Sequence, residues 1–273
     1  MEYQSIIYKK ENGVATVILN RPRALNALNE EMINEVLEAV KKCAADDEVK
    51  VLLLTGAGRA FCFGADPEEF HKAMKQPDGN STEILLAKTQ EIIRQLTQMA
   101  KPTIAALNGF ATGLGLDLAL ACDLKIAAER AKLGEAFVSM GLVPDGGGTF
   151  FLPRLVGLAK ACEMVFFGDP IPAADAERLG LLNRVVPNQD LEETSQALAK
   201  RLAQGPSSAI RLAKRLLREN LSGDLDKALQ REAESQKICL KSAEHQEAIR
   251  AFLRKTPSPI WLEMKCLYPQ EYF

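Results

Sequence analysis

The segment that most constrains the fold is Val49–Thr55, an apolar run of strand length that ends at Gly56. A strand with one wet face alternates apolar and polar residues. A run like this one is covered on both faces, the condition of a parallel sheet flanked by helices. The pattern recurs. Thr103–Leu107, after Pro102, and Leu124–Ala128 read as further buried strands, with helical segments predicted at Thr82–Met99 and Leu114–Ala121. Parallel neighbours need crossover connections, so the alternation predicts an α/β architecture. Nearer the N-terminus, Ser5–Lys9 and Val14–Leu19 are β-rich runs split by Glu11-Asn12-Gly13, a hairpin signal. Asn26 to Ala45 is predicted helical, because Met32, Ile33, Val36, Leu37 and Val40 share one face.

From Phe150 onward the pattern changes. Segments near Ala159–Phe167, Ala173–Leu179, Leu191–Ala203, Ser208–Glu219, Asp224–Lys241 and His245–Arg254 are predicted almost wholly helical. The expected layout is a strand-rich core over residues 1–200, a helical C-terminal region over 201–255 and a tail over 256–273 with three prolines.

Composition closes off several functions. The 47% of hydrophobic residues across 273 positions excludes a disordered chain. With 34 Lys and Arg against 36 Asp and Glu, no broad phosphate-binding surface for nucleic acid is expected. The longest apolar region, Thr103–Cys122, is interrupted by Asn108, Thr112, Asp117, Gly109, Gly113 and Gly115, so it reads as interior and not as a membrane span. The first ten residues lack a basic stretch followed by an apolar one, so no secretory signal is expected. Cys43, Cys62, Cys122, Cys162, Cys239 and Cys266 form no C-x-x-C pair, which points to reduced thiols and a cytoplasmic setting. The only histidines, His71 and His245, are far apart, so neither a histidine metal site nor a Ser-His-Asp triad is expected.

Three glycine-rich stretches carry the chemistry. After Gly56-Ala57-Gly58, a dinucleotide fingerprint would need a third glycine where Phe61 stands, and the chain has neither a phosphate loop nor a G-x-S-x-G elbow. Phe61-Cys62-Phe63-Gly64-Ala65-Asp66 reads either as a turn offering amide donors to an oxyanion or as an ordinary turn capped by Asp66. Asn108 to Gly115 leads into an apolar helix whose N-terminal amides suit an enolate or thioester oxygen. Asp117, inside that helix, is either an acid with a raised pKa or a first-turn residue favoured by the helix dipole. In Gly141-Leu142-Val143-Pro144-Asp145-Gly146-Gly147-Gly148, Asp145 is either a carboxylate aimed at a ligand or an N-cap. Arg21 to Asn26 could set cations near a phosphate, or form a loop and cap. Lys200, Arg201, Arg211, Lys214, Arg215 and Arg218 read as a solvated helix face.

In order along residues 5–255, these stretches resemble the crotonase family of enoyl-CoA hydratases and isomerases. The resemblance rests on Asn20-Arg21-Pro22 through Asn26-Ala27-Leu28, Ala60 to Asp66, Lys101-Pro102 with Asn108-Gly109, and Cys122-Asp123. It continues through Gly141 to Gly148, Leu152-Pro153-Arg154, Ala173–Gly180 and Val185-Val186. It implies a spiral core of ββα turns, a helical C-terminal trimerisation region and a homo-oligomer, a trimer or a dimer of trimers. The implied substrate is an acyl-CoA thioester, with coenzyme A belonging to the substrate and no separate cofactor, metal, membrane or nucleic-acid partner.

The resemblance also assigns residues. The thioester oxygen would be held by the main-chain N–H groups of Phe63 and Leu114, and substrate would contact Ala24, Leu25, Ala27, Phe63, Gly64, Ala65, Asp66, Leu114 and Phe137. Family hydratases use two glutamates; here Asp117 stands at the first position and Phe137 at the second, with Glu135 two residues early. The segment from Ala136 to Gly146 resembles an isomerase branch in which the aspartate after Val-Pro moves a proton. The implied activity is therefore an enoyl-CoA isomerase with Asp145 as principal acid/base and Asp117 assisting. The alternatives are a divergent hydratase using Asp117 with Asp145 or Glu135, and a non-catalytic acyl-CoA-binding homologue.

Overall fold

The computed structural model describes residues 3–75 and 80–254. The hairpin forms as expected: β1 (Ile6–Glu11) runs antiparallel to β2 (Val14–Leu19), with Glu11 opposite Val14. Then come α1 (Glu30–Ala45), β3 (Val51–Gly56), β4 (Ala60–Cys62), α2 (Pro67–Met74), α3 (Asn80–Gln98), β5 (Thr103–Leu107) and β6 (Phe110–Thr112). They are followed by α4 (Leu114–Ala121), β7 (Leu124–Ala128), β8 (Lys132–Gly134), α5 (Gly148–Val156), α6 (Leu158–Phe167) and β9 (Ile171–Pro172). The chain continues through α7 (Ala173–Arg178), β10 (Arg184–Val186), α8 (Leu191–Ala203), α9 (Ser207–Glu219), α10 (Leu225–Leu240) and α11 (Ala243–Arg254). The tail expected over 256–273, with Cys266, lies outside the described residues. Among the described residues, the other five cysteines form no disulfide.

Two sheets share the strands in alternation. The larger has the order β1-β2-β3-β5-β7-β10 and the smaller β4-β6-β8-β9. Each of the pairs β3–β4, β5–β6 and β7–β8 sends its first strand to the large sheet and its second to the small one, so the chain winds as a spiral of ββα turns. From β2 to β10 the large sheet is parallel. β3 shows why Val49–Thr55 is apolar on both faces: Leu52 and Leu54 enter the main core with α1, α3 and α4. Val51 and Leu53 point the other way, into a second core with Ile104, Ile126, Leu191 and Ala199 beneath α8.

Three expectations need correction. The helix predicted from Asn26 begins at Glu30, where Asn29 caps it by accepting from Met32 N at 3.0 Å. Leu25 and Asn26 take positive φ (52° and 57°), which a helix cannot hold. Asn26 instead ties the loop down. It is fully buried, its Nδ2 donates to the carbonyls of Ala57, Ala60 and Phe61, and its Oδ1 accepts from Arg21 N. The region after Phe150 also holds two short strands, β9 and β10, which close the small and large sheets; a three-residue strand is too short to show a period of two. Finally, Lys214 and Arg218 do not belong to a solvated face. Both turn inward to Asp123, each at 2.7 Å, and fasten α9 to the spiral beside β5.

Candidate active site

The site forms where three turns meet: 62–66 after β4, 113–114 at the start of α4, and 144–148 before α5. The first turn is fixed from outside. Leu28 N donates to Gly64 O at 2.8 Å, Asp66 N to Leu28 O at 3.0 Å, and Thr112 Oγ1 to Phe63 O at 3.0 Å. Gly64 has φ 97°, and a Cβ there would lie 2.9 Å from Thr112 O and 3.6 Å from Leu114 N. Glycine is thus what lets this turn approach the α4 N-terminus. Leu114 is the first residue of α4, so its N–H has no carbonyl one turn back within the helix. The Phe63 N–H faces the carbonyl of Leu25 at 3.1 Å. A thioester oxygen reaching Phe63 must share or displace that bond, which makes Leu25 part of the donor's surroundings.

Asp117 is fully buried one turn into α4. The alternative reading, that its own helix terminus satisfies it, is not what the structure shows. Its Oδ2 accepts from Gly146 N at 3.1 Å, across from the third turn, and Gly148 N also favours its charged form. Burial and the nearby Asp145 push its carboxyl up, to about 7. Close approach depends on glycine again: a Cβ on Gly146 would meet Asp117 Cβ and Oδ2 at 2.7 Å.

Asp145 is not the α5 N-cap that its sequence position allowed. The cap is Gly147, and Asp145 Oδ1 is buried without a hydrogen-bond partner among the described residues. Burial pushes its carboxyl up. Gln90 Nε2 of α3 reaches the Asp145 carbonyl at 3.4 Å and helps hold the turn. Phe137 is buried with its ring edge against Gly113, 3.6 Å from where a Cβ there would sit, so an apolar wall adjoins the donor turn. Phe63 is 47% exposed and packs edge-on to Phe110.

The other sequence-derived residues divide between the site and its supports. Asp66 is held by Arg21 at 2.8 Å and accepts from Glu68 N at 3.0 Å, which fits its reading as a helix-starting cap. Arg21 is thereby engaged and does not stand free for a phosphate; Arg23 is exposed. Ala24, Leu25 and Ala65 are partly exposed, whereas Ala27 and Gly64 are buried. Sequence reasoning underrated Glu135. It is fully buried, directly beside Asp117, and its carboxyl is pushed up to about 10 by burial and by Asp117. The available signal was an acid inside Leu133-Gly134-Glu135-Ala136-Phe137, where nothing else is polar. Among the described residues no group of three His, Cys, Asp or Glu is arranged to hold a metal ion.

The profile of the family described as enoyl-CoA hydratase/isomerase matches residues 9–262. The chain belongs to this family. It is 38% identical over 256 residues to the short-chain-enoyl-CoA hydratase of Clostridium acetobutylicum, covering 93% of this chain and 97% of that protein. It is equally 38% identical, over 253 residues, to the 1,2-epoxyphenylacetyl-CoA isomerase of Escherichia coli, covering 92% and 95%. The crystal structure of an enoyl-CoA hydratase from Bacillus anthracis superimposes with a TM-score of 0.88 at 33% identity, covering 95% of this chain and all of that one. The spiral is therefore the crotonase fold, and the chain is an enzyme of the enoyl-CoA hydratase/isomerase family rather than a non-catalytic homologue.

Proposed function

We propose that this family member is an enoyl-CoA isomerase that moves a carbon–carbon double bond in an acyl-CoA thioester. The observation that carries the reading is Asp145, a half-buried carboxylate whose buried Oδ1 has no hydrogen-bond partner among the described residues, close to Asp117, in a site where Phe137 occupies a position that resemblance gives to a hydratase glutamate. Asp145 takes a proton from C2 of a 3-enoyl-CoA. The electrons move into the thioester, and the negative oxygen accepts from the N–H groups of Leu114 and Phe63. The same carboxyl returns the proton to C4, leaving the double bond between C2 and C3 with no water consumed. The raised proton affinity of Asp145 suits a base that must also act as an acid.

Asp145→Asn tests this directly. A rate loss of at least about a hundredfold is expected with folding unchanged; unaltered isomerisation would overturn the assignment. Hydration is the second reading, favoured by Asp117 standing at a hydratase acid position and by the relatives named hydratases. There Asp117 and Asp145 would activate water, and the product of a 2-enoyl-CoA would gain one water. The chain is also proposed to work as a trimer-based homo-oligomer. Supporting this, Leu212, Leu216, Leu217, Leu221 and Leu229 line an apolar groove of about 900 Å³ between α9 and α10. A cytoplasmic setting is consistent with the absence, among the described residues, of a helix long and apolar enough to cross a membrane.

A further inference from the structure

We infer that Glu135 is a positioning residue for this site, donating a carboxyl hydrogen to Asp117 and so fixing the place and charge of the acid that neighbours Asp145. The inference rests on the proposed proton chemistry of Asp117 and Asp145. It begins from an imbalance of donors. Glu135 follows β8, is 0% exposed, and among the described residues neither of its side-chain oxygens receives a hydrogen bond; Asp117 Oδ1 receives none either. The two carboxyl groups meet at Gly148, where a Cβ would lie 2.7 Å from Glu135 Oε1 and 2.8 Å from Asp117 Oδ1.

Two ionised carboxylates in that dry space would repel with nothing between them, whereas one retained proton turns the pair into donor and acceptor. Among the described residues, the charged groups acting on Glu135 are Asp117 from α4 and Asp145 from the turn before α5, both acids and neither a cation. The donors are unequal as well. Asp117 has the amide of Gly146, and Glu135 has no such donor among the described residues, so the negative charge belongs on Asp117 and the proton on Glu135.

The consequence for reactivity follows from electrostatics. A negative Asp117 beside Asp145 makes Asp145 the stronger base. The hydrogen donated by Glu135 is part of what keeps Asp117 ionised near neutrality, because a hydrogen bond to the charged form lowers its proton affinity. Without that donor Asp117 takes up a proton at higher pH, and Asp145 loses its negative neighbour. Glu135 therefore acts through Asp117 and does not touch substrate.

The test compares the pH dependence of isomerisation in wild type, Glu135→Gln and Glu135→Leu, with the infrared carbonyl band of protonated carboxyl groups at pH 8 as a readout independent of turnover. Glutamine keeps a donor, so E135Q is expected to stay within about threefold of wild type with its acidic limb in place. E135L is expected to lose about tenfold or more at pH 7 and to recover at higher pH, its limb moved up by about one unit. A wild-type pH profile in folded E135L would overturn the inference. Should E135L fail to fold, the infrared comparison decides: a protonated-carboxyl band in wild type that E135Q lacks is expected, and identical spectra would overturn the inference. If instead Asp145→Asn isomerises normally while that band is lost in E135Q, the functional reading fails and the Glu135–Asp117 hydrogen bond stands.

Discussion

At the scale of single residues, the site is governed by where protons rest in a space with few donors. Glu135 holds a proton in the folded chain far above the ordinary value of 4.5 at which the unfolded chain releases it. Between 4.5 and about 10 the folded state thus binds one more proton than the unfolded state, and stability is lost as pH rises through that window. The slope is about 1.4 kcal/mol per pH unit for one retained proton. Asp117 adds to it up to about pH 7. Glu135→Gln removes the larger contribution. The melting temperature of wild type is expected to fall more steeply than that of E135Q between pH 6 and 9, and parallel curves would contradict the buried proton.

How legible these residues were depended on whether they act locally. The two glycine-rich turns could be read as places where main-chain amides lie open, because glycines before an apolar helix dictate where amides go. Asp117 and Asp145 could be singled out as acids in apolar company. Their partners could not. That Asp117 takes its hydrogen bond from Gly146 and not from its own helix, that Asp145 is not a cap, and that Glu135 completes the cluster are contacts between segments up to 29 residues apart. Phe137, read as a missing acid, is an apolar wall beside the donor turn.

At the scale of elements, the fastening of α9 shows how a charge pattern misleads. Lys214 and Arg218 sit one turn apart among other basic residues, as on a wet face. Yet the Lys214 side chain is only 9% exposed, and Asp123 forms ion pairs with both and accepts from Thr103 N at 2.8 Å. Removing one member of such a cluster strands the others, at a cost near 3 kcal/mol for a buried partner. Asp123→Ala is expected to lower unfolding stability in urea by about that much; a loss under about 0.5 kcal/mol would show that α9 is held by its apolar contacts instead. The strands and helices of the spiral were readable because each long element carries its own period. The start of α1 was missed because Leu25 and Asn26 adopt left-handed backbone to build a loop for the site.

At the scale of the whole molecule, winding each ββα turn against the last buries both faces of the large sheet and leaves the C-terminal helices with apolar surface unspent. Leu217, Leu221, Leu225 and Ile238 are all more than half exposed. Exposed leucines this concentrated mark a contact surface. A Leu217→Asp variant is expected to shift the mass seen by light scattering toward one chain, while wild type gives a multiple of three chains; equal masses for the two would exclude this face from the assembly. The helical character of this region was legible from its 3.6-residue period, but the sequence could not tell which apolar residues face the spiral and which face outward.

The most direct measurement of what the enzyme does is mass-resolved chromatography after incubation with a 3-enoyl-CoA and, separately, a 2-enoyl-CoA. The expected result is a product of unchanged mass and shifted retention from the 3-enoyl substrate. Failure to convert it, together with gain of one water by the 2-enoyl substrate, would contradict isomerisation and make Asp117 and Asp145 the water-activating acids of a hydratase.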